Sequence, residues 1–142
     1  IIDALQVYQS KMIGADCILL IASALSHKSF EELYSLAESL NLDVLAEIHD
    51  IDELDFVKSL GIKLLGINNR NLKTFEVDIN TSIHLSDCIT DEETVIVSES
   101  GIHTPEDVSK LNKSGIFTFL IGEHLIKSTN ASEEIGEFIN AR

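Results

Sequence analysis

The chain has 142 residues, 44% apolar and 24% charged, which suffices for one folded domain with a core and argues against a disordered segment. Its net charge of −14 repels phosphate backbones, so nucleic acid is excluded as a general partner and the acidity is read as a solubility feature. No apolar run approaches the ~18 residues that span a bilayer, and no secretory segment gives meaning to the acceptor triplets at Asn80, Asn112 and Asn130. Cys17 and Cys88 belong to no C-x-x-C pair and no zinc spacing, so no metal site is expected; two buried or half-buried thiols in a reducing cytoplasm are.

Asp3 reads as the cap of a short helix, Ala4 to Ile13, closed by Gly14. Cys17 to Ala22 is an apolar run without alternation, the mark of a parallel strand covered on both faces, and it ends at Ser23. Ser29 is expected to cap a helix from Phe30 to Leu40, with Glu32 at capping-box spacing. Val44 to Ala46 is a second strand ending on Glu47, followed by His49 and Asp50 and a helix from Ile51 to Leu60 that stops at Gly61. Lys63 to Ile67 is a third strand, ending at Asn68-Asn69-Arg70; a loop then leads to a helix near Ile79 to Asp87. Thr94 to Val97 is a fourth strand that runs into Ser98-Glu99-Ser100-Gly101. Thr104 and Pro105 open a helix to Lys113. Ile116 to Ile121 is a fifth strand ending at Gly122, with a short helix, Glu123 to Lys127, and a last one, Ser132 to Ala141.

Strands alternating with helices of about ten residues form successive βαβ units on a parallel sheet, here without linkers and therefore as one domain, 1–142. In such a sheet the carboxyl ends share a rim, which here carries Ser23, Glu47, Asn68, Glu99, Ser100 and Gly122, whereas the strand beginnings follow tight turns with little chemistry. This division of labour is that of a (β/α)₈ barrel, whose last two loops and short extra helix hold phosphate; Ser100-Gly101 and Gly122-Glu123 occupy those places, which points to a phosphorylated small molecule. Each residue also has a plainer reading: Glu47 as a solvated carboxylate, Asn68 as an Asx-turn residue, Gly101 and Gly122 as turn glycines, His49 and His103 as hydrogen-bonded structural histidines. His27, His84 and His124 are taken as surface residues, and Arg70 as an ion-pair partner of Glu76 or Asp78.

Taken together, Gly14-Ala15-Asp16-Cys17-Ile18-Leu19-Leu20-Ile21, Leu45-Ala46-Glu47-Ile48-His49-Asp50, Gly66-Ile67-Asn68-Asn69-Arg70-Asn71-Leu72, Ser98-Glu99-Ser100-Gly101-Ile102 and Leu120-Ile121-Gly122-Glu123 resemble the indole-3-glycerol-phosphate synthase family along essentially the whole chain. The resemblance implies a (β/α)₈-barrel lyase of tryptophan biosynthesis. It closes the indole ring of 1-(2-carboxyphenylamino)-1-deoxyribulose 5-phosphate with loss of carbon dioxide and water, without metal or organic cofactor. By the same resemblance, Glu47 takes part in proton transfer, Asn68 orients substrate, and Glu99 lies near the anilino and ribulose portion. Ser100, Gly101, Gly122 and the N–H of Glu123 contact substrate and phosphate. Some relatives carry Ser at the position of Glu123, whose carboxylate is expected to point away from a phosphate.

A complete barrel needs about 250 residues. The five strands correspond to the fourth through eighth, so the chain is expected to be the C-terminal portion of a partial barrel without the first three β/α units. The family's two catalytic lysines go with those units. None of Lys11, Lys28, Lys58, Lys63, Lys73, Lys110, Lys113 and Lys127 ends a strand, so the chain alone is expected to be inactive. Its open edges are expected to favour self-association. The alternatives are a non-catalytic half-barrel that binds phosphate or serves assembly, and another phosphate-binding barrel of the tryptophan or histidine pathways.

Overall fold

A computed structural model describes residues 1–141. It contains five strands, β1 (Cys17–Ile21), β2 (Asp43–Ile48), β3 (Leu64–Asn68), β4 (Val95–Glu99) and β5 (Thr118–Leu120), in one sheet in sequence order. The helices are α1 (Ala4–Met12), α2 (His27–Ser39), α3 (Ile51–Ser59), α4 (Asn80–Ser86), α5 (Pro105–Lys113), α6 (Glu123–Lys127) and α7 (Ala131–Asn140). The alternation is that of consecutive units of a (β/α)₈ barrel. Two compact units are distinguished, residues 1–66 and the residues from 67 onward.

In the first unit β1 and β2 pair in parallel from Cys17 opposite Asp43 to Ile21 opposite Glu47. Leu20, Ala46 and Ile48 from these strands are fully buried, with Phe30 of α2 and Leu54 and Val57 of α3. Phe30 meets Phe56 edge-on at a ring distance of 5.5 Å. Burying a side chain of this size stabilises by roughly 1.5–3 kcal/mol, more than the propensity differences along a helix, so the apolar face rather than composition fixes α2. The start of α2 differs from the sequence expectation. Ser26 is its cap, accepting a hydrogen bond from Ser29 N–H at 3.1 Å, so Ser29 lies inside the first turn. The chain ahead of it, Ala22–Ala24, turns as a short 3₁₀ segment where the first strand was expected to continue through Ala22. α3 is capped by Asp50, whose carboxylate accepts from Glu53 N–H at 3.0 Å.

In the second unit β4 pairs in parallel with β5, Val97 opposite Thr118 and Glu99 opposite Leu120. β4 extends through Ser98 and Glu99, which the sequence places beyond the strand, and the Glu99 carbonyl accepts Asn69 N–H at 2.8 Å. Ile102, Val108, Leu111, Ile116 and Phe138 form the core, flanked by Ile83, Ile96, Phe119, Ile121 and Leu125. α5 carries a complete capping box: Thr104 accepts from Asp107 N–H, and the Asp107 carboxylate accepts from Thr104 N–H at 3.0 Å. The cysteines correct the expectation of buried thiols. Cys17 opens β1 and Cys88 follows α4, and both residues are exposed.

Candidate active site

In the first unit the candidate carboxylate is Glu47, the penultimate residue of β2. Its side chain is buried, with 4% exposure, where a solvated loop carboxylate would stand in water. Two residues on, His49 accompanies it. The His49 N–H donates to Glu53 Oε2 at 2.7 Å, and its ring Nδ1 lies 3.4 Å from the same oxygen. Ring Nε2 is 3.4 Å from Glu47 Oε1, within Coulombic range but off the line of a hydrogen bond. The hydrogen bond to Glu53 raises the His49 pKa above its ordinary value; burial opposes the rise, and the charges of Glu53, Glu47 and Asp50 add to it. Ser23, expected at the same rim, lies exposed in the 3₁₀ turn.

In the second unit Asn68 ends β3, and its Oδ1 accepts Arg70 N–H at 2.9 Å, an Asx turn. Its neighbour Asn69, which the sequence does not single out, is 3% exposed and uses its whole amide. Nδ2 donates to Ser98 Oγ and to the Ser100 carbonyl, each at 3.0 Å, while Oδ1 accepts from Ser82 N–H at 3.0 Å and Ser82 Oγ at 2.8 Å. The two serine hydroxyls are 2.7 Å apart. This buried network fixes the turn after β4 and so positions Glu99, itself 5% exposed. The turn runs through left-handed backbone, Ser100 at φ +65° and Gly101 at φ +75°. At Gly101 a Cβ would fall on Val77 Cγ1, so both conformation and space demand glycine there.

Arg70, Ser100, Gly101, His103, Gly122, Glu123 and His124 surround a cavity of about 160 Å³, room for a phosphate group with water. Arg70 does not pair with Glu76 or Asp78: its Nη2 donates to Glu123 Oε2 at 3.0 Å. Lys127 Nζ holds the other oxygen, Glu123 Oε1, at 2.6 Å. The Lys127 hydrogen bond and charge, then the Arg70 charge, lower the Glu123 pKa. The carboxylate is thus engaged by two cations. Gly122 has φ −111°, and a Cβ there would meet nothing, so the backbone does not itself require glycine. His124 is not a bare surface residue. It is half-buried, pairs with Glu134 at 2.8 Å, and its ring lies 5.4 Å from that of His103. Glu134 also accepts from Ser128 Oγ at 2.7 Å. A guanidinium, two imidazoles and the backbone of two glycine turns thus line one small cavity. Among the described residues no group of three His, Cys, Asp or Glu side chains is placed to hold a metal ion, and no helix is long and apolar enough to cross a membrane.

The family model described as indole-3-glycerol phosphate synthase matches residues 1–138. Proteins named indole-3-glycerol phosphate synthase from Lachnospira eligens and Chromobacterium violaceum are 49% and 44% identical over 142 residues, covering 97% and 100% of this chain. The chain spans about half the length of these relatives, 53% in each case. Among solved structures, 3-hexulose-6-phosphate synthase from Salmonella typhimurium superposes with a TM-score of 0.80 at 12% identity, over 99% of this chain and 69% of that one. KGPDC from Streptococcus mutans gives 0.69 at 16% identity, over 97% and 65%. At these identities the likeness shows the fold, a partial (β/α)₈ barrel.

Proposed function

Because the chain belongs to the indole-3-glycerol phosphate synthase family, we propose that it supplies the carboxylate and phosphate-binding part of the site. The reaction is the decarboxylating ring closure of 1-(2-carboxyphenylamino)-1-deoxyribulose 5-phosphate, which we assign to the cytoplasm. The observation that carries this reading is the turn after β4. Buried Glu99 is followed at once by Ser100 and Gly101, which open onto a cavity bearing Arg70, His103 and His124. A reactive carboxylate and an anion cradle on consecutive residues suit a substrate whose reacting carbons lie a few bonds from its phosphate. The phosphate is bound by Gly101 and Gly122 backbone, the Glu123 N–H and Ser100; Glu99 faces the anilino and ribulose portion; Asn68 orients the substrate.

In the reaction the ring carbon bearing the carboxyl group attacks the ribulose carbonyl carbon. The carboxyl carbon leaves as carbon dioxide, and a hydroxyl leaves as water once an acid protonates it. Glu47 takes part in the proton transfers, its burial keeping bulk water from competing for the proton. No lysine stands at the carboxyl end of a strand among the described residues; Lys63 immediately precedes β3. The chain alone therefore lacks the general acid, a loss typically worth about 10²–10⁴-fold.

Assaying indole-glycerol phosphate formation tests this reading, first with the chain alone and then with the N-terminal half of a family member added in trans. We expect no turnover from the first and restored turnover from the second. Near-normal turnover by the chain alone removes the lysine argument, and none after complementation removes the assignment. A second, non-catalytic reading, an assembly unit that self-associates, is favoured by exposed apolar side chains: Met12 and Ile13 at 85% exposure in one unit, Phe117 and Ile139 at 57% and 60% in the other. Sizing chromatography that returns a compact monomer at all concentrations counts against it.

A further inference from the structure

We propose that His49 is a positioning residue for the Glu47 carboxylate, its imidazole anchored on Glu53 of α3 and aimed at Glu47 Oε1 at the end of β2. This rests on the reading of Glu47 as a proton-transfer group. Three features of the first unit carry it. The ring is largely buried between two carboxylates, at 3.4 Å from each. Its Nδ1 side is fixed, because Glu53 Oε2 also accepts the His49 backbone N–H at 2.7 Å and Glu53 itself is held in the first turn of α3 by the Asp50 cap. Its Nε2 side is buried and makes no hydrogen bond, so one polar group faces Glu47 with capacity to spare. A buried N–H left without a partner is costly, so a small rotation that brings Glu47 Oε1 onto the Nε2–H line is favourable.

The charges acting on the ring are Glu53 of α3, Glu47 of β2 and Asp50 at the cap, all carboxylates, and each favours the imidazolium. In that form both ring nitrogens donate and the ring bridges Glu53 to Glu47. In the neutral form one nitrogen loses its proton and the bridge opens. His49 thereby couples the orientation of Glu47 to pH from a position where it need not touch substrate.

The test is a heteronuclear NMR titration of the 142-residue chain, following the His49 ring and the Glu47 side-chain carboxyl carbon together. The Glu47 signal is expected to inflect at the His49 midpoint, and E47Q is expected to lower that midpoint because it removes one of the charges that favour the imidazolium. E53Q is expected to lower it as well. A Glu47 signal that passes through the His49 midpoint without inflection overturns the proposal and leaves His49 as part of the α3 cap only. This reading needs no substitution, so a variant that fails to fold does not obscure it. In the complemented enzyme, H49Q is expected to lower kcat about tenfold with KM little changed and to abolish the fall in kcat as pH rises through the His49 midpoint. An H49Q enzyme that keeps that pH limb also overturns the proposal. Absence of turnover in the unsubstituted complemented enzyme instead removes the proposed function and leaves the titration to decide the contact.

Discussion

Asn69 shows how much of this molecule rests on single side chains. Its amide satisfies two donors and two acceptors inside the second unit, so Asn69→Ala leaves Ser82 and Ser98 hydroxyls buried with fewer partners. A loss of about 1–3 kcal/mol is expected in denaturant unfolding. Glu123 makes the opposite case. Its exposed carboxylate occupies Arg70 and Lys127 beside the cavity to which we assign phosphate, and Glu123→Ala frees both cations. Inorganic phosphate should then bind about two- to fivefold more tightly at low salt, read by NMR shift titration, and the gain should fade as salt screens it. For His49 the sign follows from the raised folded pKa. The native state holds the proton more tightly, so this stabilisation is complete below the unfolded value near 6.5 and is lost as pH rises through the folded one. Melting at a series of pH values should show that loss, and E53Q should flatten it. The sequence marked Glu47, Asn68 and Glu99 because they stand at strand ends, a local signal. It could not mark the Arg70–Glu123 pair, whose partners are 53 residues apart, nor Asn69, whose partners come from α4, β4 and the turn after it.

Among the elements, those with self-contained signals run as the sequence predicts: α5 from the cap at Thr104 to Lys113, and α6 from Glu123 to Lys127. At α2 the structure departs from the sequence expectation. Ser29 with Glu32 matches the capping-box spacing, yet Ser26 caps α2 and Ser29 lies in its first turn, donating its N–H to Ser26 Oγ. The capping box of α5 predicts that Thr104→Ala lowers stability by about 1 kcal/mol, measured by thermal or denaturant unfolding, while Thr104→Ser should be close to neutral. The turn after β4 predicts more. Gly101→Ala places a methyl group on Val77 in left-handed backbone, and the displaced turn should weaken phosphate binding at least as much as it weakens folding.

For the molecule as a whole, the strand order and the family follow from the alternation of apolar runs with capped helices and from the strand-end motifs. The chemistry we assign asks Asn68, Glu99, Gly101 and Gly122 of the second unit to contact one substrate. NMR shift mapping with 1-(2-carboxyphenylamino)-1-deoxyribulose 5-phosphate, set against inorganic phosphate, addresses that directly. We predict that phosphate alone perturbs Gly101, Gly122 and Glu123, and that the full substrate also perturbs Asn68 and Glu99. Perturbation by the substrate that never extends beyond the residues phosphate reaches would contradict the account.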